Sequence, residues 1–170
     1  PLINPQVSGA LFTPTAGMVD PFAACIGPIE NAILNGVQVR TETAFTGFII
    51  KSGKIAGIHT NAGDIACRWV VNAAGLFADE VMHQAGERLD FKISPRRGEY
   101  YILDKTEIRM DNILFPVPTG ASKGILVLGS THGNVVVGPN SQPFDERDYS
   151  PVTDAGMREI WQGAQKLVPS

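Results

Sequence analysis

The fold of this chain turns on residues 45–75, FTGFIIKSGKIAGIHTNAGDIACRWVVNAAG. Three apolar-rich segments, Phe45–Ile50, Lys54–Thr60 and Ile65–Asn72, are separated by Lys51-Ser52-Gly53 and Asn61-Ala62-Gly63-Asp64. Both separators are tight-turn sequences, so the stretch predicts a three-stranded antiparallel meander. Its last segment ends in Trp69-Val70-Val71, an apolar run typical of a strand buried on both faces. That run leads into the small residues Asn72, Ala73, Ala74 and Gly75, then a helix expected over Leu76–Ala85 and stopped by Gly86. Small residues at a strand's carboxyl end let backbone approach a ligand closely, although an ordinary strand-to-helix turn asks for the same residues.

Towards the N-terminus, Gly36–Thr41 and Leu11–Thr15 read as strands. Between them, Asp20 is placed to cap a helix with Pro21 at its first position, and Asn35-Gly36 to end it. Phe22, Ile26, Ile29 and Ile33 recur at helical spacing and predict a buried stripe, with a kink or restart at Gly27-Pro28. Towards the C-terminus, strands are expected at Phe91–Ile93, Glu99–Leu103 and Ile113–Val117. A hairpin is expected next, pairing Gly124–Gly129 with Asn134–Val137 around Ser130-Thr131-His132-Gly133. A last helix opens near Thr153, with Met157, Ile160, Trp161, Ala164, Leu167 and Val168 on one face and Pro169 as its stop. The fold class that follows is α+β: an antiparallel sheet flanked by helices, plus a meander and a strand-helix element suited to an α/β domain. Four regions are expected: 1–34, a strand and helix bridging the others; 35–86, the meander and VVNAAG turn; 87–145, the antiparallel sheet; and 146–170, the C-terminal helix.

With 170 residues the chain can bury a real core, and 44% hydrophobic with 18% charged residues is ordinary for a globular protein. A net charge of −3 and the lack of a Lys/Arg stripe argue against nucleic acid as a partner. No apolar run reaches the roughly 18 residues of a membrane-spanning helix. Nor is there a secretory signal, so a cytoplasmic location is expected. Cys25 and Cys67 have apolar neighbours and no metal-binding spacing, and are expected to be buried thiols. Asp145, Glu146 and Asp148 lack the rest of a calcium loop and read as a solvated turn; no metal is expected. His59 and His83 read as surface residues. Among the 18 glycines no two are separated by a single residue, so the G-x-G-x-x-G turn that grips a dinucleotide's pyrophosphate is absent.

Several weak motifs in order carry more than any one of them. Thr13-Pro14-Thr15-Ala16-Gly17-Met18-Val19-Asp20-Pro21, Asn35-Gly36-Val37, the meander, VVNAAG and Pro95-Arg96-Arg97-Gly98-Glu99-Tyr100 follow one another along the chain. Thr131-His132-Gly133-Asn134, Val137-Gly138-Pro139 and Asp145–Asp148 come after them. Together they resemble the FAD-dependent oxidoreductases related to D-amino-acid oxidase, especially the glycerol-3-phosphate dehydrogenase branch. The resemblance implies that 35–86 is part of an FAD-binding domain and 87–145 a substrate-binding sheet. It places Asn72, Ala73, Ala74 and Gly75 near the dinucleotide, and the backbone of Ala44 and Phe45 near the adenine. Family members carry the glycine-rich turn before this region and a further flavin-contacting segment after it. The chain is therefore expected to be a truncated piece that is inactive and binds no FAD alone. The intact reaction would move a hydride from a secondary alcohol to flavin, turning sn-glycerol 3-phosphate into dihydroxyacetone phosphate. Oxidation of a 2-hydroxy acid such as 2-hydroxyglutarate, or of an amino acid, is the alternative within the family. A non-enzymatic domain that binds a small anion or a partner chain is the alternative outside it.

Such a substrate is a small phosphate or carboxylate anion, and arginine's planar fork suits either. The resemblance turns the basic residue before Gly98, Arg97, towards the substrate, with Arg96 second. His132 at the hairpin tip and Tyr100 or Tyr101, on opposite faces of their strand, complete the candidates. No residue is singled out as catalytic. Any membrane association would belong to the intact enzyme, and self-association is expected through the surface around Val70–Gly75 that missing strands would otherwise cover.

Overall fold

The computed structural model describes residues 3–86, 88–106, 108–118 and 123–169. The chain divides into two compact units, one of residues up to Pro28 together with those from Arg96 onward, the other Ile29–Pro95. The boundary falls inside the first helix, α1 (Pro21–Leu34).

The Ile29–Pro95 unit is built on the meander. Strands β1 (Phe45–Lys51), β2 (Lys54–Thr60) and β3 (Ile65–Ala66) pair antiparallel in that order. Ser52 and Gly53 both take positive φ, 51° and 73°, as a two-residue hairpin turn requires. Opposite Ala66, Gly57 has no room for a side chain, because a Cβ there would press on the Ile65 carbonyl. The third strand is shorter than the sequence predicts. Pairing ends once the Cys67 N–H reaches the Ala56 carbonyl, and residues 69–74 are irregular, with Trp69 87% and Val71 90% exposed. A strand buried on both faces needs neighbours for its backbone and covers for its side chains; among the described residues Val70–Asn72 has no paired strand, and only one face is partly covered, Val70 and Asn72 being half-buried while Trp69 and Val71 are exposed. A 3-10 turn (Gly75–Phe77) leads into α2 (Ala78–Gln84), close to the expected helix.

Two other predicted strands are absent for local reasons. Instead of Gly36–Thr41, the chain closes α1 with a Schellman motif: Gly36 has φ 90°, its N–H reaches the Ile33 carbonyl and the Val37 N–H that of Ala32. Phe91–Ile93 is no strand either, because the Ile93 N–H goes to the buried Asp79 carboxylate at 3.0 Å. The N-terminal cap matches the sequence, with Asp20 Oδ1 accepting from the N–H of Phe22 and Ala23. The helix does not restart at Gly27-Pro28: α1 is one element through Pro28, which leaves the Ala24 carbonyl without the N–H it would have received. No residue of α1 is buried, so the stripe of Phe22, Ile26, Ile29 and Ile33 is present but uncovered. Cys25, expected to be buried, is exposed on that helix, and Cys67 is half-buried where β3 has already ended.

In the other unit, Leu11–Thr15 is not a strand: Leu11 and Phe12 are irregular, and Thr13–Ala16 is a turn closed by the Ala16 N–H on the Thr13 carbonyl, with Pro14 at the position where its fixed φ suits a turn. Strands β4 (Arg96–Arg97) and β9 (Gln142–Pro143) form a two-stranded pair. Strands β5 (Tyr101–Leu103), β6 (Ile113–Leu114), β7 (Leu126–Gly129) and β8 (Val135–Gly138) form an antiparallel sheet in the order β5-β8-β7-β6. The β7–β8 hairpin is the predicted one, its turn closed by the Ser130 N–H on the Asn134 carbonyl. Helix α3 (Asp154–Ala164) packs on this sheet, and Ile125, Val127, Val135, Val137, Ile160 and Ala164 form the core. Tyr101 packs on that core and sets its ring edge against Trp161, whereas Tyr100, one residue earlier, is exposed. Among the described residues no helix is long and apolar enough to cross a membrane.

Candidate functional site

Arg96 and Arg97 are adjacent in an extended strand and point to opposite faces. Arg96 is exposed and tied to one residue: its Nε donates to Ser141 Oγ at 2.7 Å and its Nη2 to the Ser141 carbonyl at 2.8 Å. Arg97 turns inward, its side chain only 10% exposed, with the guanidinium lying 4.7 Å from the centre of the Phe144 ring. Its Nη2 is 3.8 Å from Glu99 Oε1, close enough for charge attraction and too long for a hydrogen bond. Its Nε is buried and has no hydrogen-bond partner among the described residues. Leaving such a donor unmet costs about 1–3 kcal/mol.

Glu99, the charge beside Arg97, is itself firmly held. Its Oε1 accepts from the Thr153 N–H (2.6 Å) and hydroxyl (2.9 Å), and its Oε2 from Asn140 Nδ2 (2.6 Å). Thr153 is also the N-cap of α3, accepting from the Gly156 N–H, so the carboxylate sits at that helix's positive end. Burial pushes the Glu99 carboxyl up, but the bonds from Asn140 and Thr153 and the charge of Arg97 outweigh it and leave the group below its ordinary value. Gly156 is a requirement of this arrangement, since a Cβ there would overlap the Glu99 carboxylate. Glu159 extends the network by accepting from Gln142 Nε2 at 2.7 Å.

His132 lies in the β7–β8 turn, mostly exposed, with its Nε2 2.9 Å from Asp20 Oδ2. The N–H of Ala23, the His132 imidazole and the N–H of Phe22 hold the Asp20 carboxyl below its ordinary value, against a smaller rise from burial. Beside the same turn an open cavity of about 410 Å³ is lined by Lys105, Arg109, Ser130 and Thr131 among others, with Arg109 paired to Asp111 at 3.0 Å. No hydrogen bond or ion pair among the described residues joins Arg97, His132 and Tyr100 to one another. What the structure brings together is Arg97 with Glu99, and His132 with Asp20. Neither partner was foreseen. An extended Arg-x-Glu puts both side chains on one face and could have been noticed; Asp20 and His132, 112 positions apart, offer no local signal.

In the Ile29–Pro95 unit, Asn72 organises the VVNAAG turn, its Oδ1 accepting from the Ala74 N–H and its Nδ2 donating to the Ala78 carbonyl. Ala73, Ala74 and Gly75 are exposed, and Gly75 has φ 55° with open space where a Cβ would stand. A turn with so little side chain fits the close backbone approach of a dinucleotide. The Ala44 backbone is paired on both sides with Asn61, and the Phe45 ring meets Phe48 edge-on at 4.8 Å.

Comparison with known proteins gives this geometry a family. The model of the DAO family, described as FAD dependent oxidoreductase, matches residues 1–170. The chain belongs to that family. Among FAD-dependent oxidoreductases it is 32% identical to a glycerol 3-phosphate dehydrogenase of Caloramator mitchellensis, over 99% of the chain and 35% of the relative. It is 31% identical to an L-2-hydroxyglutarate dehydrogenase of Indibacter alkaliphilus, over 93% of the chain and 42% of the relative. The chain thus spans well under half the length of these curated relatives. In fold it is similar to the glycerol-3-phosphate dehydrogenase of Bacillus halodurans, solved with FAD: TM-score 0.71 and 18% identity, over 83% of the chain and 30% of that one. It is also similar to the L-proline dehydrogenase of P. horikoshii, with TM-score 0.69 and 24% identity over 88% of the chain and 39% of that one. The α+β class read from the sequence agrees with these neighbours.

Proposed function

We propose that this chain is the substrate-binding region of an FAD-dependent dehydrogenase that oxidises a small anionic alcohol, sn-glycerol 3-phosphate first among them. The observation that carries the reading is the buried Nε of Arg97, a charged donor without a partner among the described residues, beside a guanidinium otherwise held by Phe144 and Glu99. A fixed arginine of this kind binds a phosphate or carboxylate through paired hydrogen bonds and so orients the carbinol carbon of the substrate. His132 and Tyr100 are the residues offered to the substrate's hydroxyl, and Arg96, tied to Ser141, supports the strand. The turn Asn72–Gly75 would lie along the dinucleotide and the backbone of Ala44 and Phe45 near its adenine. The flavin, when bound, supplies the hydride acceptor.

Oxidation of 2-hydroxyglutarate is the second reading, favoured by the relative that bears that activity in its name. Arg97 serves a carboxylate as well as a phosphate. A third reading, a non-enzymatic domain for a partner chain or a second copy, draws on the uncovered α1 stripe and the exposed Trp69 and Val71. By this account the chain alone is inactive and holds FAD weakly or not at all.

Calorimetric titration of the chain with sn-glycerol 3-phosphate, 2-hydroxyglutarate and uncharged glycerol tests the reading, with FAD followed separately by its fluorescence. Saturable binding of either anion, lost in Arg97→Gln and weakened in Arg97→Lys, is the expected result. Equal binding by the Arg97→Gln chain would remove the proposed anchor, and stoichiometric FAD binding would contradict the expectation for the isolated chain.

A further inference from the structure

We infer that Asp20 is a positioning residue for His132, holding the imidazole by Nε2 so that Nδ1 is the atom left to accept a proton. The two oxygens of Asp20 have separate duties. Oδ1 accepts from the N–H of Phe22 at 2.8 Å and of Ala23 at 3.1 Å and so caps α1, while Oδ2 lies 2.9 Å from His132 Nε2. An ionised carboxylate only accepts, so the hydrogen of this bond belongs to Nε2, and a neutral imidazole then carries a bare lone pair on Nδ1. The carboxylate is anchored by the helix it caps, with its side chain 23% exposed, whereas the His132 side chain is 75% exposed. The order of cause is therefore from Asp20 to His132. Main-chain bonds fix the other end: Ser130 Oγ accepts from the His132 N–H at 3.2 Å, and the Gly133 N–H closes the turn on the Ser130 carbonyl.

This extends the proposed oxidation and rests on it for its use. On that reading the flavin, when bound, would supply the hydride acceptor for the carbinol C–H, and the role of His132 would be to receive the O–H proton at Nδ1, an N–H bond forming as the O–H bond breaks, with the imidazolium held against the Asp20 carboxylate. The tautomer itself stands without any substrate.

The test uses the whole chain, labelled with ¹⁵N, and long-range proton–nitrogen correlation of its imidazoles at about pH 9, above the usual histidine range. His132→Gln assigns the signal. In the unsubstituted chain Nε2 should be protonated and Nδ1 bare. Asp20→Asn gives the sharper reading. Its amide oxygen must keep the helix cap, so its NH₂ faces His132 and calls for an accepting Nε2; the tautomer should invert to Nδ1–H. Asp20→Ser keeps a cap but has no second branch, so His132 should show the tautomer mixture of an exposed imidazole, for which His83 on the same chain is the reference. An unchanged tautomer in all three chains would overturn the inference. Inversion in a chain that binds neither glycerol 3-phosphate nor 2-hydroxyglutarate would sink the substrate reading and leave the role of Asp20 intact.

Discussion

Helices α1 and α3 carry the same signal in sequence, an apolar stripe behind a capping residue, and end in opposite situations. In α3 the cap is Thr153, Ile160 is fully buried, Ala164 joins it, and Met157 packs against the core they form. In α1 the cap is Asp20, and Phe22, Ile26, Ile29 and Ile33 all remain exposed. Periodicity says which face of a helix wants cover; it does not say whether the chain provides that cover. The exposed stripe, with Trp69 and Val71, marks surface that nothing among the described residues covers, in a chain that matches only part of each relative's length.

The contrast is sharpest in stability. Ile160→Ala should cost about 2–5 kcal/mol in urea unfolding, because it empties a site at the centre of the core. Gly156→Ala should come next, at about 1–3 kcal/mol, since the new methyl group must displace the Glu99 carboxylate or the first turn of α3. Thr153→Ala should cost about 1 kcal/mol through the lost cap, and Thr153→Ser should restore it. The same corner sets a pH dependence. The folded Glu99 carboxyl lies below its ordinary value of 4.5, so its contribution to stability is present above that value and lost as pH falls through the lower folded one. Glu99→Gln should flatten the acid limb of a stability–pH profile, and an unaltered limb would show that the network of Asn140 and Thr153 does not hold the charge. Smallest of all, Ile26→Ala on α1 should change stability by no more than about 0.5 kcal/mol; a loss as large as that of Ile160→Ala would mean that α1 is covered in solution.

Features set by neighbours in sequence were legible. Lys51-Ser52-Gly53 forms its turn, Asn35-Gly36 its helix end, Thr153 its cap and the β7–β8 hairpin its pairing, because each depends on a few residues' backbone preferences and hydrogen bonds. Features set by distant partners were not. Val70–Asn72 reads as a buried strand and is irregular, since a strand exists only with a neighbour to pair. Of the candidate site, the sequence singled out Arg97 and His132 but not the carboxylates beside them: Glu99 is held by Asn140 and Thr153, and Asp20 meets His132, each across a long stretch of chain.

The most direct test of the account is the Nε–H signal of Arg97 itself, followed by proton–nitrogen correlation as sn-glycerol 3-phosphate is added. A buried donor waiting for an anion should give a slowly exchanging signal that shifts saturably with the phosphate compound and not with glycerol. A signal that stays in place through saturating anion would mean that Arg97 only holds the fold together, and the proposed substrate site would have to be sought elsewhere.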